Sequence, residues 1–271
     1  MTFSHSLSQI PTENQILKNL KRIIFGKRLK CPDCGRQMYV VEIVKNKTFR
    51  CKKCRNKFSL TSINWLRGMK ITYQHLWLLI YCWQKKLNVG QTVEISKLSL
   101  ITVRRYYELF RDNLNLDTEV ILEGKVQIDE MFVKGAFVIG GKDINRKKIK
   151  LKVFCKKSPD KSDSMNFIFN HVKPGSTVCT DGSSIYKACE NFWPVKHERD
   201  IHKKFEFKET SEIEGLWANF RTFVRRMYHH VTLKKLIKIV AEFEARFSQK
   251  EIFNSVLTFL ENTLSTVKLA L

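Results

Sequence analysis

The sequence predicts a mixed α/β protein in three parts: a cysteine-rich ribbon, a small helical module, and a larger domain in which strands alternate with helices. Two cysteine pairs lie near the start of the chain, and amphipathic helical patterns follow them. Short apolar runs that end in acidic residues then alternate with helical segments. We expect domain boundaries at 1–60 for the ribbon with an N-terminal arm, 61–120 for the helices, 121–230 for the α/β domain and 231–271 for C-terminal helices.

The chain is strongly basic, with 49 Lys and Arg against 26 Asp and Glu in 271 residues and a formal net charge of +23. Residues 1–117 carry +15 of this surplus and the rest +8, so the first part is the better candidate for binding phosphate. Nucleic acid is the commonest partner of such a surface, and an anionic lipid surface is the alternative. No signal peptide is recognisable and no apolar run is long enough to span a bilayer, so we expect an intracellular protein without a membrane partner.

Four cysteines form two Cys-x-x-Cys pairs, Cys31 with Cys34 and Cys51 with Cys54, separated by sixteen residues. Each pair can direct two thiolates at one ion, and a hairpin between the pairs would complete a tetrahedral site. The spacing therefore predicts a structural Zn²⁺ site, with a redox pair as the alternative. We interpret the four remaining cysteines as core thiols: Cys82, Cys155, Cys179 and Cys189.

The segment between the two cysteine pairs suits a β-hairpin. Residues 39–44 are typical of a strand, 45–47 of a turn and 48–50 of a returning strand. Gly35 follows the first pair, where a positive φ is often needed. Eleven basic residues lie from Lys27 to Lys57. This surface predicts nucleic-acid binding by the ribbon, although some ribbons bind protein.

Three helices are predicted after the ribbon, at 71–86, 91–98 and 100–114. The first carries an aromatic stripe that we interpret as core rather than as a base-stacking surface. A polar break at 97–99 separates the other two, and the last carries Arg104 and Arg105. Such a pair is typical of a helix-turn-helix, although many helix pairs share the pattern without touching DNA.

From about residue 120 the pattern becomes strand-like. We expect strands at 126–130, 149–154, 177–182 and near 193–197, and helices at 164–172, 183–189 and 212–228. Asp129 and Asp181 are expected at strand ends, and the last of these helices begins with Glu212 and Glu214. Singly, such acids are usually turn or helix-start residues. Together they match the way an RNase H-like fold gathers carboxylates for two Mg²⁺ ions, which are set about 3.5–4 Å apart.

A set of motifs in fixed order makes the interpretation more specific. After the cysteine pairs come three motifs: Val126-Gln127-Ile128-Asp129-Glu130, the run from Pro174 to Gly182, and the run from Ser211 to Trp217. With them the chain resembles the Merlin superfamily of DDE transposases and the related bacterial insertion-sequence transposases with an N-terminal zinc ribbon, over about residues 29–247. Ile213-Glu214, followed by a small residue, an apolar residue and Trp, is the most diagnostic motif.

The resemblance implies a DNA transposase that binds terminal inverted repeats and catalyses metal-dependent cleavage and strand transfer into target DNA. It implies that three acids are catalytic and bind Mg²⁺ or Mn²⁺, namely Asp129, Asp181 and Glu214. It also implies that nearby basic residues contact phosphates, namely Lys134, Arg221 and Arg225. His202 would assist the catalytic site. The partners would be double-stranded DNA and a second copy of the chain, since two DNA ends must be brought together.

Two alternatives remain open. Ser211 and Arg221 replace an Asn and a Lys that are common in the family, which leaves room for a decayed or host-recruited DNA-binding protein without catalysis. An RNase H-like nuclease without strand transfer would use the same three acids. Either way we expect the protein in the nucleus of a eukaryotic host, or in the cytoplasm and nucleoid of a bacterial one.

Overall fold

The structure is a computed structural model that describes residues 10–26, 29–38, 43–44, 48–114, 120–133, 135–199, 210–228 and 231–264. The chain divides into two compact units. One comprises Met1–Asn115 with Glu251–Leu271, and the other comprises Leu116–Lys250. No helix in the described part of the chain is both long and apolar enough to cross a bilayer.

The first unit begins with a helix that the sequence analysis does not predict. Helix α1 (Glu13–Phe25) starts at a capping box in which Thr12 and Gln15 satisfy each other's backbone N–H groups. A three-stranded antiparallel sheet follows, formed by β1 (Ile43–Val44), β2 (Thr48–Arg50) and β3 (Lys57–Ser59). The predicted returning strand is thus confirmed, while residues 39–42 and the expected turn at 45–47 lie outside the described residues.

Four helices of the first unit pack around large aromatic side chains: α2 (Tyr73–Gln84), α3 (Val89–Ser96), α4 (Leu100–Asp112) and α8 (Val256–Leu264). The ring of Trp83 lies 5.6 Å from that of Phe110 and 5.4 Å from that of Phe259. The break between α3 and α4 falls where it is predicted, because Lys97 adopts a left-handed conformation and Ser99 caps α4. The interpretation of the stripe on α2 as core agrees with the burial of Trp83.

The second unit is built on a five-stranded sheet, formed by β4 (Lys125–Val133), β5 (Ala136–Asp143), β6 (Ile149–Phe154), β7 (Thr177–Thr180) and β8 (Lys196–Arg199). The order of the strands in the sheet is β6-β5-β4-β7-β8. The β4–β5–β6 part is antiparallel, and β7 and β8 add in parallel. The α/β prediction is confirmed, but β5, the second strand of this sheet, is missing from the predicted elements.

Helices cover both faces of this sheet. Helix α5 (Lys161–His171) packs on one face, where a methyl group added to Gly141 would meet the Phe167 ring at 3.1 Å. Helix α6 (Ser211–Tyr228) packs on the other face, where a methyl group added to Gly140 would meet the Trp217 indole. Helix α7 (Leu233–Ser248) lies against β6, and its Glu244 accepts the Leu151 N–H at 2.7 Å.

Two local predictions are wrong. The helix expected at 183–189 is replaced by two short 3₁₀ turns, Ser184–Tyr186 and Cys189–Asn191, because Ala188 between them has a left-handed φ of 60°. Asp129, expected at a strand end, lies in the middle of β4. Pairing with β5 continues to Val133, whereas only the pairing with β7 stops before Asp129.

Candidate active site and metal centre

The four ribbon cysteines converge at one point of the first unit. The Sγ atoms of Cys31 and Cys54 are 3.5 Å apart, and those of Cys34 and Cys51 are 3.7 Å apart. All four sulfur atoms lie within 4.8 Å of one another. Thiolates bound to one Zn²⁺ at about 2.3 Å would be separated by about 3.8 Å at the corners of a tetrahedron. The ribbon therefore has the donor set and the spacing of a structural zinc site.

The backbone of both Cys-x-x-Cys turns supports this arrangement. Gly35 and Arg55 each follow the second cysteine of a pair, and both have a positive φ, of 67° and 61°. A backbone N–H of Cys54 lowers the pKa of Cys51 to about 6, which favours its thiolate. Burial raises the pKa of Cys31 to about 12, and a cation bound by the four sulfur atoms would favour its thiolate.

The two aspartates of the second unit are brought together by strand register. Strands β4 and β7 pair in parallel, with Lys125 opposite Thr177 and Gln127 opposite Cys179, a constant offset of 52 positions (177 − 125). Asp181 comes directly after β7, and its offset from Asp129 is also 52 (181 − 129). Neighbouring strands lie about 4.8 Å apart, and the charge of Asp181 acts on Asp129, so the two carboxyl groups lie near each other.

Asp129 sits under the indole of Trp217. The Trp217 Nε1–H donates to Asp129 Oδ2 at 3.0 Å. The indole reaches this carboxylate by passing over Gly140, the β5 residue paired with Asp129, where a Cβ atom would lie only 2.6 Å from the ring. Burial, together with the charges of Asp181 and Glu214, raises the pKa of Asp129 to about 6 against the opposing hydrogen bonds. The two other predicted acids thus act on Asp129 electrostatically.

The two candidate glutamates at the start of α6 have different surroundings. Glu212 forms an ion pair with Lys142 of β5, which lowers the pKa of Glu212. Glu214 is exposed, accepts a hydrogen bond from Thr210 Oγ1 at 3.2 Å, and contributes to the raised pKa of Asp129. Of the two glutamates, Glu214 is thus the one whose charge acts on Asp129, whereas Glu212 is paired with Lys142.

Two family models match the chain over regions that coincide with these two sites. A transposase zinc-ribbon domain matches residues 11–57, and an ISXO2-like transposase domain matches residues 121–248. Together the two matches, both of the same transposase family, span more than half of the chain. The chain belongs to the DDE transposases that carry an N-terminal zinc ribbon. The resemblance drawn from the sequence is thereby confirmed, and DNA binding and an origin in a mobile element follow from the family.

No curated protein matches this transposase. A solved structure of the simian T-cell lymphotropic virus intasome in complex with PP2A regulatory subunit B56 gamma matches with a TM-score of 0.36 and 8% identity. That match covers 62% of this chain and 67% of the other. A likeness at this level supports no conclusion about this chain.

The transposase has a fourth acid, half-buried, next to the first of the three predicted ones. Glu130 follows Asp129 on β4, so its side chain points to the opposite face of the sheet. There Glu130 Oε2 accepts the hydroxyl of Tyr186 at 2.8 Å. Burial, together with the charges of Asp129 and Asp181, raises the pKa of Glu130 to about 7. The two adjacent acids, Asp129 and Glu130, are visible in the sequence, but the sequence does not predict that Tyr186 is the partner of Glu130.

The remaining predicted residues of the transposase are only partly described. Arg221 and Arg225 lie on α6 with exposed side chains. Lys134 and His202 lie outside the described residues. Two residues that the sequence analysis did not single out hold the start of α6 on the sheet: Gln127, which accepts the Ile213 N–H at 2.9 Å, and Lys142, which pairs with Glu212.

Proposed function

We propose that this chain is an active DNA transposase that binds the terminal inverted repeats of its element, cuts the DNA there, and joins the freed end to target DNA. We assign catalysis to Asp129, Asp181 and Glu214. The observation that carries the proposal is the position of Asp129: its carboxylate accepts the Trp217 N–H of the helix that bears Glu214 at 3.0 Å, and Asp181 follows the neighbouring strand. Burial, with the charges of Asp181 and Glu214, raises the pKa of Asp129, which is costly to the metal-free fold and suits a site that binds cations.

The topology of the second unit supports an RNase H-like fold. Three antiparallel strands are followed by two parallel ones, the first aspartate lies on the central β4, and the second follows the adjacent β7. The glutamate comes from a helix that packs on the face carrying Asp129. We assign residues 121–230 to this catalytic domain, 1–60 to the ribbon, 61–120 to the helical module and 231–271 to C-terminal helices.

The donor set fits Mg²⁺ or Mn²⁺, since carboxylate oxygens are the ligands these hard cations prefer. Asp129, Asp181 and Glu214 would hold the ions. When bound, such a pair of ions activates the attacking oxygen and stabilises the leaving oxygen of a phosphoryl transfer. Trp217 orients Asp129 through its Nε1–H and excludes water from one side of that carboxylate. Arg221 and Arg225, exposed on the same helix, would bind the phosphates that flank the scissile bond.

DNA recognition is assigned to the first unit. Helices α3 and α4, joined by a three-residue turn, match the layout of a helix-turn-helix, and α4 exposes Ile101, Arg104 and Arg105 on one side. The basic ribbon, held by Zn²⁺, would add phosphate contacts. We further propose that two or more copies assemble on the paired DNA ends, and that the protein acts on the DNA of its host, in a nucleus or a nucleoid.

A cleavage and joining assay tests the catalytic assignment. Purified protein is incubated with Mg²⁺ or Mn²⁺ and labelled DNA that carries the ends of the element. Glu214→Gln and Glu212→Gln form a matched pair, two residues apart on one helix. We expect cut and joined products from the wild type and from Glu212→Gln, and none from Glu214→Gln or Asp181→Asn.

Each of the other outcomes would indicate a different function or a different catalytic residue. Salt-sensitive binding without products from the wild type would indicate a recruited or decayed DNA-binding protein. Cuts without joined strands would indicate a nuclease. Products from Glu214→Gln but not from Glu212→Gln would overturn the assignment of the third acid.

A further inference from the structure

A second group of metal-ligating side chains lies in the second unit, on the face of the sheet opposite to Asp129. Cys189 and Glu190 lie on a 3₁₀ turn, and His197 lies on β8. Cys189 Sγ is 3.7 Å from Glu190 Oε2, which is 3.5 Å from His197 Nδ1. The three donor atoms all lie within 4.8 Å of one another. None of the three residues takes part in the DDE cluster.

Hydrogen bonds fix which nitrogen of His197 carries a proton. The Thr180 hydroxyl has one hydrogen, which it donates to the Asp181 carbonyl oxygen at 2.8 Å. At its 2.9 Å contact with His197 Nε2 the hydroxyl must therefore accept, and Nε2 must be protonated. At the other nitrogen, the Arg199 Nε–H donates to His197 Nδ1 at 3.2 Å, so Nδ1 is an acceptor. The lone pair of His197 is then on Nδ1, directed towards Cys189 and Glu190.

The spacing of these three donors agrees with zinc coordination. Sulfur at about 2.3 Å from Zn²⁺, with carboxylate oxygen and imidazole nitrogen at about 2.0–2.2 Å, gives tetrahedral edges of about 3.6 Å for S···O and about 3.4 Å for N···O. The corresponding distances here are 3.7 Å and 3.5 Å. A protonated Nε2 that donates to a nearby oxygen is also the usual arrangement around a zinc-bound histidine.

We propose that Cys189, Glu190 and His197 bind a zinc ion, with water in the fourth position. One thiolate and one carboxylate balance the charge of the ion. The ion would link the 3₁₀ turn to β8 and hold the His197 ring against Thr180, the residue before Asp181. Its role is thus to stiffen the edge of the sheet next to the second aspartate of the DDE cluster. This inference does not depend on catalytic activity.

Arg199 is the group that competes for the same lone pair. Its Nε donates to His197 Nδ1 at 3.2 Å. The Arg199 side chain is exposed, so it can withdraw into solvent when an ion binds. Removing the guanidinium should consequently strengthen zinc binding, or leave it unchanged, whereas removing any of the three donors should weaken it.

Metal titration of the full-length protein tests this site. The ribbon is first filled with one equivalent of Zn²⁺, and Co²⁺ is then added in the presence of excess Mg²⁺, which fills carboxylate sites. We expect a second equivalent of metal to bind, with the tetrahedral visible bands of Co²⁺ and a near-ultraviolet charge-transfer band from one thiolate. Cys189→Ser should abolish the charge-transfer band, and Glu190→Gln should weaken binding at least tenfold.

The controls separate this site from other thiols and from misfolding. Cys155 is exposed, so its interpretation as a core thiol is wrong, and it lies outside the cluster. Cys155→Ser should therefore leave the titration unchanged. Glu190 is also exposed, so Glu190→Gln should keep the circular dichroism of the wild type. Arg199→Gln should bind Co²⁺ at least as tightly as the wild type. The proposal is overturned if the wild type binds only the ribbon metal, or if the charge-transfer band persists in Cys189→Ser.

Discussion

Replacing the first predicted catalytic acid should stabilise the metal-free protein. The pKa of Asp129 is raised from 3.8 to about 6, chiefly by burial. Each pKa unit corresponds to about 1.4 kcal/mol, so ionising Asp129 at neutral pH costs the fold about 3 kcal/mol. Asn has nearly the same shape, carries no charge and can still accept the Trp217 N–H. Asp129→Asn should therefore raise the free energy of unfolding by about 2–3 kcal/mol at pH 8.

The sign of the pH dependence follows from the same shift. Because the folded pKa of Asp129 lies above its unfolded value, the folded wild type gains protons, and stability, as the pH falls through about 6. The stability difference between Asp129→Asn and the wild type should be constant above about pH 7 and shrink between pH 6 and pH 4. Urea unfolding in EDTA-containing buffer across this range measures it, provided that the zinc content of the ribbon is checked at each pH.

Metal should act on the wild type alone. Mg²⁺ at one hundred times its dissociation constant stabilises the protein it binds by about 2.7 kcal/mol, and Asp129→Asn should lose this gain. Asp143→Asn is the matched control with opposite sign. Burial would raise the pKa of Asp143, but its hydrogen bonds with Arg146 outweigh burial and lower the pKa. Asp143→Asn should destabilise the fold by about 1–3 kcal/mol. The reasoning is refuted if Asp129→Asn is the less stable protein at pH 8 without metal.

Three further predictions concern packing, the ribbon and DNA binding. Gly140→Ala should lower the free energy of unfolding by about 1–3 kcal/mol, because its methyl group would meet the Trp217 indole at 2.6 Å. Gly215→Ala, on the exposed side of α6, should raise the free energy of unfolding by up to about 1 kcal/mol. Thermal unfolding measures both variants, and equal effects would contradict the packing of Trp217 on Gly140. Cys51→Ser should reduce the zinc content of the protein and make the ribbon more sensitive to proteases. Metal analysis and limited proteolysis measure these effects, and an unchanged zinc content would argue against a four-cysteine site. The double variant Arg104→Ala/Arg105→Ala should bind DNA from the ends of the element more weakly, and its binding should depend less on salt. Fluorescence anisotropy measures this binding, with DNA of random sequence as the control. An equal loss of affinity for the two DNAs would mean that these arginines make only non-specific contacts.

The elements that could be predicted are those whose burial leaves a periodic pattern. Strand β6 alternates between buried and partly exposed residues, and its predicted bounds match Ile149–Phe154. Strand β5 is buried along its whole length and contains Gly140 and Gly141, so it has neither alternation nor strong strand propensity. Those glycines are needed because Trp217 and Phe167 pack directly on them from opposite faces. That reason becomes visible only in three dimensions.

In the candidate site, too, some features could be predicted from the sequence and others could not. Asp129, Asp181 and Glu214 could be proposed from their positions in the motifs, and the β4–β7 register explains why the two aspartates lie together. The distinction between Glu212 and Glu214 depends on Lys142, which is seventy residues away from Glu212 in the chain. Hydrogen bonds between residues so distant in sequence leave no local signal. The pairing of Glu130 with Tyr186 could not be predicted for the same reason.

The position of α8 has a consequence for the order in which the protein is made. This helix belongs to the same compact unit as the ribbon, and Gln84 of α2 donates hydrogen bonds to the Ile252 and Ser255 carbonyls at 3.0 and 2.9 Å. During translation the ribosome must therefore finish the whole acid-bearing unit before the first unit receives α8. A nascent chain released early would expose the aromatic side chains around Trp83 that Phe259 covers. A chain that lacks α8 should therefore be cleaved by proteases more readily than one that contains it.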